Sequence, residues 1–300
     1  MKNFLIVILG PTGVGKSDLS VEIASHFKSE IISADSRQFY REMKTGTAVP
    51  SENQLKRVRH HFIRCLSVTE YFSSSLFERA VLKLLPSLFS ENNIAVMTGG
   101  SGMYIDAVCK GIDDIPDIDP SIREKYNLRF KTEGIESLRA SLKLIDPDYY
   151  STVDLRNHKR IIRALEIYES SGHRYSEFLT NKRAERNFTI IKIGLRRERE
   201  DLYRRINLRV DEMVSNGLED EAMHLLQYKD LNPLKSVGYR EFFDFFEGKI
   251  TREKAIELIK RNSRRYAKRQ MTWWSRDKEI VWFTPEKVQE IIVYITESIA

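Results

Sequence analysis

Eight residues, Gly10-Pro11-Thr12-Gly13-Val14-Gly15-Lys16-Ser17, constrain this chain more than any other stretch. They fill the pattern GxxxxGK[ST]. Ahead of them runs the unbroken apolar segment Phe4-Leu5-Ile6-Val7-Ile8-Leu9, and after them Leu19, Val21, Ile23, Ala24 and Phe27 recur at helical spacing. An uninterrupted apolar, β-branched run predicts a strand buried on both faces of a parallel sheet. The order is therefore strand, loop, helix, the context in which this pattern holds phosphate. Glycines let backbone amides converge on phosphate oxygens and the helix N-terminus adds its dipole. Lys16 supplies a point charge, and the Ser17 hydroxyl can hold magnesium. The same cradle binds ATP in kinases and NTPases and serves any enzyme whose leaving group is pyrophosphate, so it does not name the reaction.

Further along, Glu30-Ile31-Ile32-Ser33-Ala34-Asp35 and Ile94-Ala95-Val96-Met97 read as strands, and so do Thr189 to Leu195 and Glu279 to Phe283. Around Gly111 the texture changes. Asp113-Asp114-Ile115-Pro116-Asp117-Ile118-Asp119-Pro120 has the prolines and acids of a crossing between domains, and the pattern to about Arg186 is helical. Within it Asp154 is the expected N-cap of a helix whose stripe is Ile161, Leu165 and Tyr168, with Gly172 at C′. The expected fold is α/β: a P-loop NTPase-like parallel sheet flanked by helices, residues 1–112 and 187–300, with a mainly helical insertion domain at 113–186. A closing amphipathic helix carries Val288, Ile291, Ile292, Ile295 and Ile299.

Which acid works beside the P-loop is the next question. ATPases and GTPases usually end an apolar strand in an Asp that holds magnesium through water, but Met97 is followed by Thr98-Gly99-Gly100. The strand ending at Ala34 does run into an acid, Asp35, and strand C-termini in a parallel sheet form the ligand crevice. Position alone leaves Asp35 open between a working carboxylate and a helix N-cap.

Charge points to an anionic partner. Lys and Arg number 49 against 43 Asp and Glu, a net +6, and the segment 251–279 holds ten Lys or Arg against four Asp or Glu. Two helical rows stand out there, Lys260, Arg264 and Lys268 beside Arg261, Arg265 and Arg269; Arg156, Arg160 and Arg163 repeat the arrangement. Alone, such stripes are more often solvated faces than binding faces. Cys65 and Cys109 have no partner at metal-ligand or redox spacing, which predicts buried thiols in a reducing cytosol. The His60-His61 pair lacks a third ligand at suitable spacing and reads as structural or surface. The apolar run 4–9 is too short for a signal sequence or a membrane span, so a cytoplasmic monomer with no membrane partner is expected.

Seven strings taken together resemble the tRNA dimethylallyltransferase (IPP transferase) family: GPTGVGKS at 10–17, SADSRQFYREMKTGTAVP at 33–50, TGGSGMY at 98–104, DIDPSIR at 117–123, NHKRIIRALEIYESSG at 157–172, SVGYRE at 236–241 and YAKRQMTWW at 266–274. They cover nearly the whole chain in order. Departures are small, Ser17 for the commoner Thr and Arg37 where Met is common. The resemblance implies transfer of a dimethylallyl group from dimethylallyl diphosphate, with magnesium, to the exocyclic amine of the adenosine 3′-adjacent to the anticodon in tRNAs. It implies Asp35 as general base, and Gly10, Pro11, Thr12, Gly13, Val14, Gly15, Lys16 and Ser17 with Arg209 as the diphosphate grip, Arg204 and Arg205 being close rivals. It implies that Asp35, Ser36, Arg37 and Gln38, with Ser101, Arg123, Lys159, Arg160, Ile161, Ile162 and Arg163, meet the tRNA anticodon stem-loop. With this partner in view the basic rows read as RNA-binding faces, and the helical insertion as an RNA clamp. Trp273 and Trp274 are candidates for stacking on bases, with at least one expected in packing. Two other readings stay open, an enzyme acting on free adenine nucleotides or small molecules, and a nucleotide-switched RNA-binding protein.

Overall fold

The structure, a computed structural model, describes residues 2–113, 115–116, 118–180 and 184–300, so Asp114 and Asp117 of the acidic segment lie outside the described residues. The chain divides into two compact units, Met1–Lys110 with Glu185–Ala300, and Gly111–Ala184.

The first unit is built on a six-stranded sheet, β1 (Phe4–Leu9), β2 (Ile31–Ser33), β3 (His60–His61), β4 (Ile94–Gly99), β5 (Thr189–Leu195) and β6 (Ile280–Phe283), in the order β3-β2-β4-β1-β5-β6. Every pairing is parallel. The unbroken apolar run of β1 now has its cause. Leu5, Val7 and Leu9 pack into a core with Phe77, Val81, Leu85 and Tyr239. Phe4, Ile6 and Ile8 face the opposite way, against Leu19 and Ile23 of helix Lys16–His26 and Ile291 and Ile295 of helix Val288–Ile299. Side chains alternate across a strand, so a strand covered on both faces must be apolar at every position. Each such side chain contributes about 1.5–3 kcal/mol by its burial. Because all six strands run one way, their C-terminal ends share one edge, and the loops after β1, β2, β4 and β5 gather there.

The edge strand β3 is two residues long and was not expected. Its histidines are held locally: His61 Nε2 lies 2.5 Å from Glu30 Oε2, and the His60 ring meets the Val58 carbonyl at 2.8 Å. Among the described residues no group of His, Cys, Asp and Glu is placed to hold a metal ion. Cys109 is buried, but Cys65 is exposed, against expectation. It lies in a loop turned by positive φ at Phe62 and Arg64, which presents the segment to solvent.

The second unit is helical, with Pro120–Ile145, Pro147–Thr152, His158–Ser171 and Tyr175–Phe178. The long stretch breaks at Gly134, whose φ of 78° and ψ of −175° no other residue type adopts readily. Its core is Tyr126, Leu138, Leu142, Ile161, Ile162, Ala164 and Leu165. Asn157, not Asp154, caps the helix His158–Ser171, its side chain accepting from Arg160 N; Asp154 accepts from Arg156 N one turn earlier. Gly172 ends that helix in the left-handed region at φ 74°.

Candidate active site

The loop 10–17 leaves β1 through Gly10, Gly13 and Gly15, all at positive φ. A Cβ at Gly10 would stand 2.8 Å from Leu195 O and one at Gly13 2.9 Å from Ile206 Cγ1, so both positions exclude side chains on contact as well as on conformation. Gly15 caps helix Lys16–His26 from the left-handed region, which puts the loop at the helix N-terminus, a ready anion site. Lys16 Nζ donates to Gly10 O at 2.8 Å and Pro11 O at 2.9 Å. Burial pushes its ammonium down to about 7; Asp35 opposes that fall and Arg209 adds to it.

A cavity of about 360 Å³ opens over this loop, lined among others by Lys16, Ser17, Asp35, Thr98, Arg205 and Arg209. Asp35 sits two residues past the end of β2. Its Oδ1 accepts from Arg37 N at 3.1 Å and its carbonyl from Gln38 N, so the carboxylate closes a turn and does not cap a helix. The Arg209 Nη1 approaches Thr12 Oγ1 at 3.3 Å, and burial lowers its pKa, Asp35 and Glu212 opposing. Of its two rivals, Arg205 donates to Gly13 O at 2.9 Å and also lines the cavity, whereas Arg204 pairs with Asp201 and is largely exposed. Arg205 and Arg209 are one helical turn apart on Arg199–Ser215, which puts both on the loop.

The remaining candidates divide. Ser36 N donates to Ser101 Oγ at 2.9 Å, and Ser101 Oγ donates to Ser36 Oγ at 3.1 Å, so the loops after β2 and β4 are tied together beside Asp35. Gln38 lines the cavity, but its amide is spent internally: Nε2 donates to Thr47 O and Ala48 O, and Oε1 accepts from Ser33. In the second unit Lys159 and Arg160 are exposed, while Ile161 and Ile162 are core residues whose side chains no outside partner reaches. Arg123 and Arg163 both bind the fully buried carboxylate of Glu166.

Several working residues were not singled out from the sequence. Gln270 bridges the site, its Oε1 accepting from Thr12 N and its Nε2 donating to Gly100 O, both at 2.8 Å. Tyr266 brings its hydroxyl to 3.5 Å from Gly100 O, and burial pushes it up to about 12, with Asp35 adding to the rise. Glu221 accepts from the N–H groups of Lys44, Thr45 and Gly46 and from the Tyr239 hydroxyl, fixing the loop whose Thr47 lines the cavity. Gln270 and Tyr266 lie within the string at 266–274, whereas Glu221 lies in none of the seven strings and left no signal; contact across the chain is invisible to spacing. The basic rows also need correction. Lys260 pairs with Asp211 and Arg264 with Asn207, so these two members of the first row are packed against helix Arg199–Ser215. Arg265, Lys268 and Arg269 are the exposed ones.

Comparison with known proteins agrees along the chain. The IPP transferase family model matches residues 38–277. The chain is 51% identical over 295 residues to tRNA dimethylallyltransferase 1 of Bacteroides fragilis, covering 98% of both. The solved tRNA isopentenylpyrophosphate transferase of Bacillus halodurans matches at TM-score 0.72 and 36% identity, over 99% of this chain and 96% of that one. A eukaryotic dimethylallyltransferase solved acting on tRNA matches at TM-score 0.78 and 25% identity, over 94% of this chain and 74% of that one. With a family model spanning most of its length and a relative half identical from end to end, this chain belongs to the IPP transferase family.

Proposed function

We propose that the protein transfers a dimethylallyl group from dimethylallyl diphosphate to the exocyclic amine of the adenosine 3′-adjacent to the anticodon of tRNA, releasing diphosphate. The observation that carries this is the juxtaposition of one carboxylate, Asp35, with the cations Lys16 and Arg209 in a single cavity over the P-loop. An aromatic amine is a poor nucleophile, so the departing diphosphate must be stabilised and water kept from the allylic carbon. Loop amides, Lys16, Arg205 and Arg209 do the first. The amine nitrogen bonds to the allylic carbon as the carbon–oxygen bond to diphosphate breaks. Its proton becomes acidic only as that bond forms, which lets a carboxylate, Asp35, accept it. The target base must leave its stack to enter such a cavity.

Ser17 fits a magnesium ion: its hydroxyl is a hard oxygen donor lining the same cavity as the Asp35 carboxylate, and such ions are held by one or two protein oxygens together with substrate phosphates. The metal would neutralise charge on the leaving diphosphate. Ser36, Arg37 and Ser101, the exposed Lys159 and Arg160, and the pair Arg123 and Arg163 are assigned to the RNA. The protein is further proposed to act as a monomer in the cytoplasm, where its tRNA substrate resides. No helix among the described residues is long and apolar enough to cross a membrane. The test is incubation with magnesium, labelled dimethylallyl diphosphate and unmodified tRNA. Label in RNA is expected; label in free adenine nucleotide, or in neither, contradicts the proposal.

A further inference from the structure

Two adjacent tryptophans end the helix Arg252–Trp274, and the fold treats them differently. Trp274 is buried, at 3% exposure, in the core under the sheet, whereas Trp273 is 46% exposed. The ring is not loose: a Cβ at Gly102 would stand 2.6 Å from its Cδ1 and Nε1, so it packs closely over that backbone. Nor is the ring free to turn. Its Nε1 donates to Asp106 Oδ2 at 2.8 Å, Asp106 Oδ1 takes the Lys110 ammonium at 2.8 Å, Lys110 reaches Asp277, and Asp277 binds the buried Lys192 of β5. A chain of charge-assisted contacts thus anchors the indole Nε1 to the sheet, while Gly102 backs the ring and about half of its surface stays exposed. Met103, 56% exposed and one helical turn before Asp106, extends the apolar surface.

The place of this ring gives it a use. The segment 100–102 borders both groups: a Cβ at Gly100 would lie 3.7 Å from Asp35 Oδ2, and one at Gly102 2.6 Å from Trp273 Cδ1. Two residues of chain span at most about 7 Å. The ring therefore stands within about 13 Å of the Asp35 carboxylate, across the strip Gly100-Ser101-Gly102. Around it Arg269, Lys268 and Arg276 are exposed, which suits an anionic backbone.

We infer that Trp273 is a stacking platform for a nucleotide base immediately flanking the target base, an inference that rests on the proposed function. Moving the target base into the cavity strips its neighbours of one stacking face. Trp273 restores that face and holds the strand in register, and Asp106 is the positioning residue that keeps the indole in plane. Stacking of this kind tolerates any base, so the platform reads position and not sequence.

The experiment is a double-mutant cycle with an anticodon stem-loop. Trp273→Ala is expected to weaken stem-loop binding by about 5- to 100-fold, while Trp273→Phe and Trp273→Tyr, which keep a π face, stay near wild type. Asp106→Ala should fall between them. A stem-loop made abasic at one of the two positions flanking the target should lose affinity for wild type but not further for Trp273→Ala. Full additivity at both flanking positions, an unchanged affinity for Trp273→Ala, or a change only in sedimentation, marking a self-association patch, would overturn the platform. Absence of transfer by the wild type would sink the proposed function alone, because the cycle reads binding without turnover.

Discussion

Lys16 and Arg209 in the first unit and Arg156, Lys159 and Arg160 in the second carry the same charge in opposite surroundings. The first pair is desolvated, its pKa values lowered by burial, with nearby Asp35 pulling the other way. The second group is exposed on one helix and its flank. A desolvated cation interacts strongly with one small anion and is little affected by salt; an exposed one interacts weakly and is screened within about 10 Å at 0.1 M salt. The difference teaches a division of labour. In the proposed reaction the desolvated pair of the first unit serves the diphosphate, while exposed cations, Arg156, Lys159 and Arg160 of the second unit with Lys268, Arg269 and Arg276 of the first, serve the polyanion.

The largest effect expected on the chemical side is that of Asp35→Asn, which keeps the shape and an acceptor oxygen but cannot take a proton. Single-turnover transfer at saturating substrates should slow by about 10²–10⁴, with both affinities kept; an unchanged chemical step would remove Asp35 from the reaction. Next comes the buried carboxylate of the second unit. Glu166→Gln leaves Arg123 and Arg163 without their shared anion and is expected to lower unfolding stability by about 1–3 kcal/mol, read by denaturant titration. A variant as stable as wild type would mean that the arginines are held by other contacts.

Lys16 yields a subtler test. With the free ammonium near pKa 7, binding of diphosphate favours the charged form, so the complex takes up a proton above that pH. Affinity should fall as pH rises from 7 to 9, and calorimetry in two buffers of different ionisation enthalpy should show uptake of up to about one proton at pH 8. Binding with no proton uptake would show that Lys16 is charged throughout. The smallest effect belongs to single exposed cations: Arg160→Ala should reduce the slope of log affinity for a stem-loop against log salt by about 0.7. An unaltered slope would return Arg160 to the solvated surface.

How much of this was legible beforehand depends on the range of the cause. β1, the loop and its helix follow from local pattern, since burial on both faces forces an apolar run and the glycines are forced by their own φ values. Asp35 was found by its position after β2, although the residue itself sits in a turn just beyond a strand that ends at Ser33. What depended on contact between distant segments was not legible. β3 exists only because β2 offers an edge to two histidines. The row Lys260 and Arg264 reads as open surface until Asp211 and Asn207 are seen opposite it. Likewise Gln270 lies 258 positions from the amide it binds, and no periodicity links the two.

The division of labour between the two sets of cations is tested most directly by single-turnover transfer to an anticodon stem-loop measured at rising salt, with binding and the chemical step separated by varying enzyme concentration. If exposed cations neutralise about three phosphates, affinity should fall roughly 10- to 20-fold between 50 and 200 mM salt. The rate at saturating enzyme should change little, because Lys16 and Arg209, two of the three cations assigned to the diphosphate, are desolvated and only Arg205 is exposed. A chemical step that slows in parallel with binding would contradict the account.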